Sequence, residues 1–214
     1  MNLALFDFDG TITANDNYTA FIRYASKDRL LIRGFLFITP ISLAYRLGLL
    51  SGPSARKAVS FFSFRGLKES VLLETGRHYA EEIIPPNVRE VALQRMQWHR
   101  EQGDHIVVVS ASLDFYLRHW CERNGLAVLC TGFEVRDGIV TGRYLNGDCT
   151  GVNKAKHVLG KYNLSGYQTV YAYGDTTEDR ELLGLASKKY FRWKEVEHVP
   201  EKSSDCDTSK TIDL

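Results

Sequence analysis

Short apolar runs alternate with stretches of helical spacing along most of this chain. Asn2 to Phe8 is apolar and ends in the acids Asp7 and Asp9, which predicts a buried parallel strand delivering two carboxylates at its C-terminal end. From about Asn17 to Tyr79 the spacing is helical, with breaks near Pro40, Gly52-Pro53 and Gly66, and Pro85-Pro86 then punctuates the chain. Asn87–Gln102 predicts an amphipathic helix stopped by Gly103. His105–Ser110 is a β-branched strand, Asp114–Asn124 a helix ended by Gly125, and Ala127–Cys130 a short strand. Phe133–Arg136 and Ile139–Tyr144 flank Asp137-Gly138, a hairpin signal. Lys154–Tyr162 predicts a helix, Thr169–Tyr173 a strand, Glu178–Ala186 a helix and Lys189–Trp193 a last strand.

This alternation predicts an α/β fold with an open, mostly parallel sheet. Such sheets bind ligands beyond the carboxyl ends of their strands, so Asp7–Thr11, Ser110–Ser112 and Gly174–Asp179 are expected to converge. We expect a core from residues 1–14 and 85–194, an inserted helical cap over 15–84, and a polar, poorly ordered tail over 195–214.

Composition adds little until it is divided along the chain. The formal net charge is +1, which calls for no nucleic acid. Residues 15–68, however, hold Arg23, Lys27, Arg29, Arg33, Arg46, Arg56, Lys57, Arg65 and Lys68 against Asp16 and Asp28, which is +7 and leaves −6 elsewhere. The same stretch carries the aromatics Tyr18, Phe21, Tyr24, Phe35, Phe37, Tyr45, Phe61, Phe62 and Phe64. Core packing accounts for such a set, and so does peripheral contact with an anionic membrane. Arg33, Pro40 and Arg46 interrupt Leu30–Leu50, so no membrane span is expected there. Cys121, Cys130, Cys149 and Cys206 form no paired motif, and the six histidines show no zinc spacing. Those scattered thiols predict a reducing, cytoplasmic location, extending to the inner face of the membrane if the cap touches lipid.

The strand-end residues suit phosphoryl chemistry, which needs a nucleophile, an acid for the leaving group and neutralisation of phosphoryl charge. Asp7 and Asp9 supply carboxylates, Asp175 extends an oxygen-rich magnesium site, Ser110 with the amide of Ala111 can bind a phosphoryl oxygen, and Lys154 can neutralise charge. Asp16 is read as a helix cap or a substrate contact, and Asp179 as a helix-start acid or a metal ligand.

In order along the chain, Asp7-Phe8-Asp9-Gly10-Thr11, Ser110, Lys154 and Gly174-Asp175-Thr176-Thr177-Glu178-Asp179 resemble the four motifs of the haloacid dehalogenase-like superfamily. The resemblance covers about residues 2–193 and is nearest the phosphoserine-phosphatase-like branch, with its small helical cap after the first motif. It implies a Rossmann-like α/β core, helices on both sheet faces, a helical cap and a β-hairpin. It implies phosphomonoester hydrolysis in which Asp7 attacks phosphorus to give an aspartyl-phosphate and Asp9 acts as acid, then base. It implies Mg²⁺ held by Asp7, the backbone carbonyl of Asp9, Asp175 and Asp179. Thr11, Ser110, Ala111 and Lys154 then hold the phosphoryl group, and Asp16 falls where phosphoserine phosphatases carry a substrate-contacting Glu.

Two positions depart from that branch. The cap Arg that grips the substrate carboxylate aligns with Ala58, two residues after Arg56, and Glu178 replaces an Asn. The basic, aromatic cap also resembles that of the related phosphatidylglycerophosphate phosphatases. The expected substrate is therefore a small phosphorylated metabolite, phosphoserine-like, or a lipid phosphate. A phosphotransferase or mutase, and a catalytically silent binding protein, are the alternatives.

Overall fold

The computed structural model describes residues 1–25 and 38–199. Its core begins with strand β1 (Leu3–Phe6), buried throughout. Period-two alternation sends Ala4 and Phe6 to one face and Leu3 and Leu5 to the other, and each pair joins a separate apolar cluster. Burial on both faces is what a central parallel strand requires. β1 pairs in parallel with β2 (His105–Leu113) on one side and β6 (Val170–Gly174) on the other. The six-stranded sheet is completed by β3 (Ala127–Thr131), β7 (Lys188–Phe191) and β8 (Lys194–Val196) in the order β3-β2-β1-β6-β7-β8, with only β8 antiparallel. The strand order turns back across β1 and β6, placing the crevice of an open α/β sheet beyond those two ends.

One face is covered by α5 (Glu90–Glu101) and α6 (Asp114–Arg123), through Ala92, Met96, Leu117 and Trp120. The other is covered by α7 (Val152–Lys161) and the short α8 (Arg180–Gly184), through Val158, Leu182 and Leu183. The described helices between β1 and α5 are α1 (Asn17–Ala25), α2 (Thr39–Arg46), α3 (Gly52–Phe64) and α4 (Glu69–His78). The chain leaves the core and returns to it at one place. The Ala14 amide donates to the Asn87 carbonyl at 2.8 Å and the Arg89 amide to the Ile12 carbonyl at 2.9 Å. The separate hairpin of β4 (Phe133–Arg136) and β5 (Ile139–Tyr144) holds the helical stretch from below. The amides of Gly66 and Glu69 both donate to it, and that of Val140 donates back to Leu67, all at 2.9 Å.

Several boundaries differ from expectation. β2 runs on through Leu113 rather than ending at Ser110, because an irregularity between Val109 and Leu113 lets it keep pairing with β3. The helix expected over 178–186 is a 3-10 turn, Thr177–Asp179, followed by one short α-helix, since Asp179 turns back to cap the loop. The last strand stops at Phe191, and Arg192-Trp193 make a tight turn into β8, so 195 and 196 are strand residues rather than tail. Residues 200–214 of the expected tail lie outside the described residues.

The aromatics of the helical stretch divide. Tyr18, Phe21 and Phe64 are buried, and Phe21 packs on Tyr79 and Tyr116 with ring centroids 5.2 and 4.8 Å apart. Phe35 and Phe37, with Lys27, Arg29 and Arg33, lie outside the described residues. No described helix is long and apolar enough to cross a membrane.

Gly76 sets how closely α4 approaches α6, since a Cβ there would overlap the Phe115 carbonyl. Helix propensity alone favours Ala over Gly by about 1 kcal/mol, whereas overpacking a tight contact costs about 1–3 kcal/mol. Here the obstacle is backbone, which cannot swing aside. Gly76→Ala should therefore lower stability by about 1 kcal/mol or more in urea unfolding; a stabilised variant would show that the helices have slack at this point.

Candidate active site

Asp7 follows the last residue of β1, and its amide donates to the Tyr173 carbonyl at 3.0 Å, so the β1–β6 pairing sets its position. Its side chain is nearly buried, 4% exposed. Lys154, at the start of α7, reaches it from the other sheet face. The Lys154 Nζ lies 2.5 Å from Asp7 Oδ1 and 2.5 Å from Asp179 Oδ1, and all three side chains are buried. Burial works against the ammonium charge, but Asp179 and Asp7 outweigh it and raise the Lys154 pKa well above the ordinary lysine range.

Asp179 is a cap as well as a charge. Its Oδ2 accepts from the amides of Asp175 and Thr176 at 3.1 Å and from Thr176 Oγ1 at 3.2 Å. This reciprocal cap fixes the loop after β6 and so places Asp175. Thr11 Oγ1 donates to Asp175 Oδ1 at 3.2 Å. Gly10 has φ +86°, and a Cβ there would overlap the Asp175 carboxylate, so two independent constraints call for glycine.

Asp9 faces a different set of partners. Its Oδ1 accepts from the Asn17 amide and from Asn17 Nδ2, both at 2.9 Å, and its Oδ2 accepts from Ser112 Oγ at 2.5 Å. Tyr116 donates to Ser112 Oγ at 2.7 Å, and Tyr79 to Asn17 Oδ1 at 3.2 Å. Burial raises the Asp9 carboxyl above the ordinary range and Asp16 adds to it, while the hydrogen bonds from Ser112 and Asn17 pull the other way.

Asp7, Asp9, Asp16, Ser110 and Ala111, with Lys154, line one cleft, and Asp175, Asp179 and Thr11 join it through the contacts above. The catalytic, phosphate-binding and metal candidates of the sequence are thus brought to one place. Asp16 caps α1, its oxygens accepting from the Tyr18 amide at 3.0 Å and from Thr19 Oγ1 at 2.7 Å, and it still faces the cleft. Asn17 and Tyr116 around Asp9, and Arg56 in the lining, had no role in the sequence-based expectation, while Ser112 and Thr176 belong to segments expected to converge but had no role of their own. Strand alternation puts Ser112 in phase with Ser110, a usable signal; Asn17 and Tyr116 left none.

Ala58, the position aligned with the substrate-gripping Arg, lines an outer groove with Lys57, Phe61 and Arg143 instead of this cleft. Arg56 lines the cleft.

Carboxylate oxygens of Asp7, Asp175 and Asp179 all lie within 4.8 Å of one another, the one such grouping among the described residues. An all-oxygen donor set suits a hard divalent cation. These residues fit Mg²⁺. The Asp9 side chain, turned to Asn17 and Ser112, lies outside the grouping, which leaves its backbone carbonyl as the group it can offer.

The model of the family described as haloacid dehalogenase-like hydrolase matches residues 4–184. The chain belongs to that family. It is 30% identical over 193 residues to protein CicA of Caulobacter vibrioides, covering 89% of this chain and 85% of that one. It is 28% identical over 197 residues to a protein named histidinol-phosphatase from Neisseria meningitidis serogroup C, covering 87% and 88%. Among solved structures, the phospho-aspartyl intermediate analogue of phosphoserine phosphatase superposes with a TM-score of 0.62 at 20% identity, covering 88% of this chain and 85% of that one. That last likeness is one of fold.

The Lys154 ammonium bridges Asp7 and Asp179. Removing one partner of a buried charge cluster costs about 3–5 kcal/mol. Lys154→Met should therefore destabilise the protein by about 3 kcal/mol in urea unfolding without divalent cations, and added Mg²⁺ should restore part of the loss. A change under about 0.5 kcal/mol would mean that the ammonium does not balance these acids.

Proposed function

We propose that this chain is a magnesium-dependent phosphomonoesterase acting through an aspartyl-phosphate on Asp7. The observation that carries the reading is the pairing of two unlike carboxylates at one cleft. Asp7 lies against the Lys154 ammonium, which keeps it ionised, as a nucleophile must be. Asp9 lies in a buried setting that favours holding a proton, as a general acid must.

In the proposed reaction an Asp7 oxygen bonds to phosphorus as the bond from phosphorus to the alcohol oxygen breaks, and Asp9 gives that oxygen its proton. Asp9, now ionised and steadied by Ser112 and Asn17, takes a proton from water, whose oxygen attacks phosphorus and releases phosphate from Asp7. Thr11, Ser110, the Ala111 amide and Lys154 bind and orient the phosphoryl oxygens. Asp7, the Asp9 carbonyl, Asp175 and Asp179 would hold Mg²⁺, which when bound supplies charge neutralisation for the phosphoryl group.

We further read residues 15–84 as a cap over the cleft. The free space among the lining side chains is small, about 20 Å³, room for about one water. A phosphate ester therefore enters only when the cap or its side chains move. The substrate is a small phosphorylated metabolite or a lipid phosphate. The relatives' names give histidinol phosphate and phosphoserine; both carry an amine, and only the second carries a carboxylate.

Asp7→Asn should abolish Mg²⁺-dependent hydrolysis of an aryl phosphate and capture of beryllium fluoride. Asp9→Asn should lower kcat by about 10²–10⁴-fold while leaving capture intact. EDTA should remove activity, with Mg²⁺ restoring it. Substantial turnover surviving in Asp7→Asn would sink the covalent mechanism.

A further inference from the structure

Beyond the groups assigned to the phosphoryl end, three charged side chains line the cleft, namely Asp16, Arg56 and Glu178. They come from three places: the start of α1, the first turns of α3 and the 3-10 turn after β6. Of the nine basic residues in 15–68, Arg56 alone is in this lining among the described residues.

Arg56 has little freedom to reorient. Its backbone carbonyl accepts from the Tyr18 hydroxyl at 2.8 Å, and its guanidinium sits over the Tyr18 ring, 4.9 Å from the centroid. Tyr18 is itself buried and shares a 2.8 Å hydrogen bond with Ser60, which in turn bonds Tyr144 at 2.8 Å. Among the acids that favour the Arg56 charge, Glu178 acts most strongly, followed by Asp16. Among the described residues the outer lining therefore carries two negative charges, Asp16 and Glu178, against the one positive charge of Arg56.

We propose that Glu178 and Arg56 make this cleft selective for phosphomonoesters whose alcohol carries an amine and no carboxylate. This deepens the phosphatase reading above and rests on it. A substrate carboxylate would enter a lining where Glu178 and Asp16 both repel it and Arg56 alone attracts it. A substrate ammonium meets the opposite situation, since it completes the charge balance. Asp16 and Glu178 are carboxylates with acceptor positions beyond those they use. Glu178 is the specificity-determining member. With a neutral residue there, the described outer lining would carry one charge of each sign, Asp16 and Arg56.

The test is a matched series on the full-length protein with Mg²⁺, scored by kcat/KM. The probes are O-phosphoethanolamine (amine only), O-phosphoserine (amine and carboxylate), phosphoglycolate (carboxylate only) and ethyl phosphate (neither). Phosphoethanolamine should exceed ethyl phosphate by about tenfold or more, should exceed phosphoserine, and phosphoglycolate should be poorest. Glu178 is exposed, so Glu178→Gln is expected to fold normally. In that variant the amine advantage should shrink by about tenfold and phosphoserine should gain on phosphoethanolamine. Arg56→Gln, which removes the cation and keeps both acids, should widen the amine advantage. Preference for phosphoserine in the unmodified protein, or ratios unmoved by Glu178→Gln, overturns the inference. Mg²⁺-dependent turnover of p-nitrophenyl phosphate separates the two layers. If it is present with flat ratios, only the selectivity fails; if it is absent, the phosphatase reading fails with it.

Discussion

The buried Lys154 ammonium between Asp7 and Asp179 ties this structure together. Its two partners come from the ends of adjacent parallel strands, and the lysine comes from a helix on one sheet face. Two carboxylates cannot be buried beside each other without a cation, because each would bear an unreturned desolvation cost and repel the other. The fold meets that demand by topology. The sheet order turns back between β1 and β6, so both strand ends open into one crevice, and α7 packs where its first turn points into it. Asp179 then passes the constraint on. Its second oxygen caps the loop that carries Asp175, so the position of the lysine helps set the position of the remaining acid.

A second set of contacts supports the same strand ends from the opposite sheet face. Phe6, just before Asp7, and Tyr173, two residues before Asp175, stack at 4.2 Å, and Trp193 closes on both. Trp193 gets there through a turn in which it and Arg192 both have left-handed backbones, φ 66° and 50°. Such residues cost about 1–2 kcal/mol each. The return is local: the Arg192 amide donates to the Gly174 carbonyl at 2.8 Å and its Nε to the Asp175 carbonyl at 3.1 Å. The strained turn thus holds the backbone on both sides of the bond leading into Asp175. Burial of the Trp193 ring against the stack offsets the strain, which explains how a turn without glycine persists there.

The strands were legible because each short apolar run has one role, to be buried on both faces. The acids were legible because polar residues at the ends of such runs have few other reasons to be there. Boundaries failed where a tertiary contact overrode local preference, as when Asp179 broke the helix expected over 178–186 by bonding back to its own loop. Arg56 was missed for a sharper reason. A helix turns about 100° per residue, so residues two positions apart point to opposite sides of the cylinder. Ala58 and Arg56 show that outcome, one in the outer groove and one in the cleft. In α3 the apolar spacing specifies which face is buried but not which end of that face lies over the site, and motifs outside the insertion cannot set its phase. The partners of Asp9 were hidden differently. Asn17, Ser112 and Tyr116 are ordinary residues whose meaning comes only from meeting one carboxylate.

That meeting bears on how two identical residues, two positions apart, come to differ. Regular strand alternation would have aimed Asp7 and Asp9 at the same side with the same neighbours. β1 ends at Phe6, however, and the left-handed Gly10 turns the chain, so Asp9 points to the helical stretch while Asp7 points to Lys154. One carboxylate gains a cation. The other gains neutral donors, a buried setting and the nearby charge of Asp16. Neutral hydrogen-bond donors stabilise an ionised carboxylate less than a lysine does, so of the two Asp9 has the setting that favours a bound proton. The separation of nucleophile from acid in the proposed reaction therefore arises in the turn at Gly10, which sets the two side chains apart before any substrate arrives.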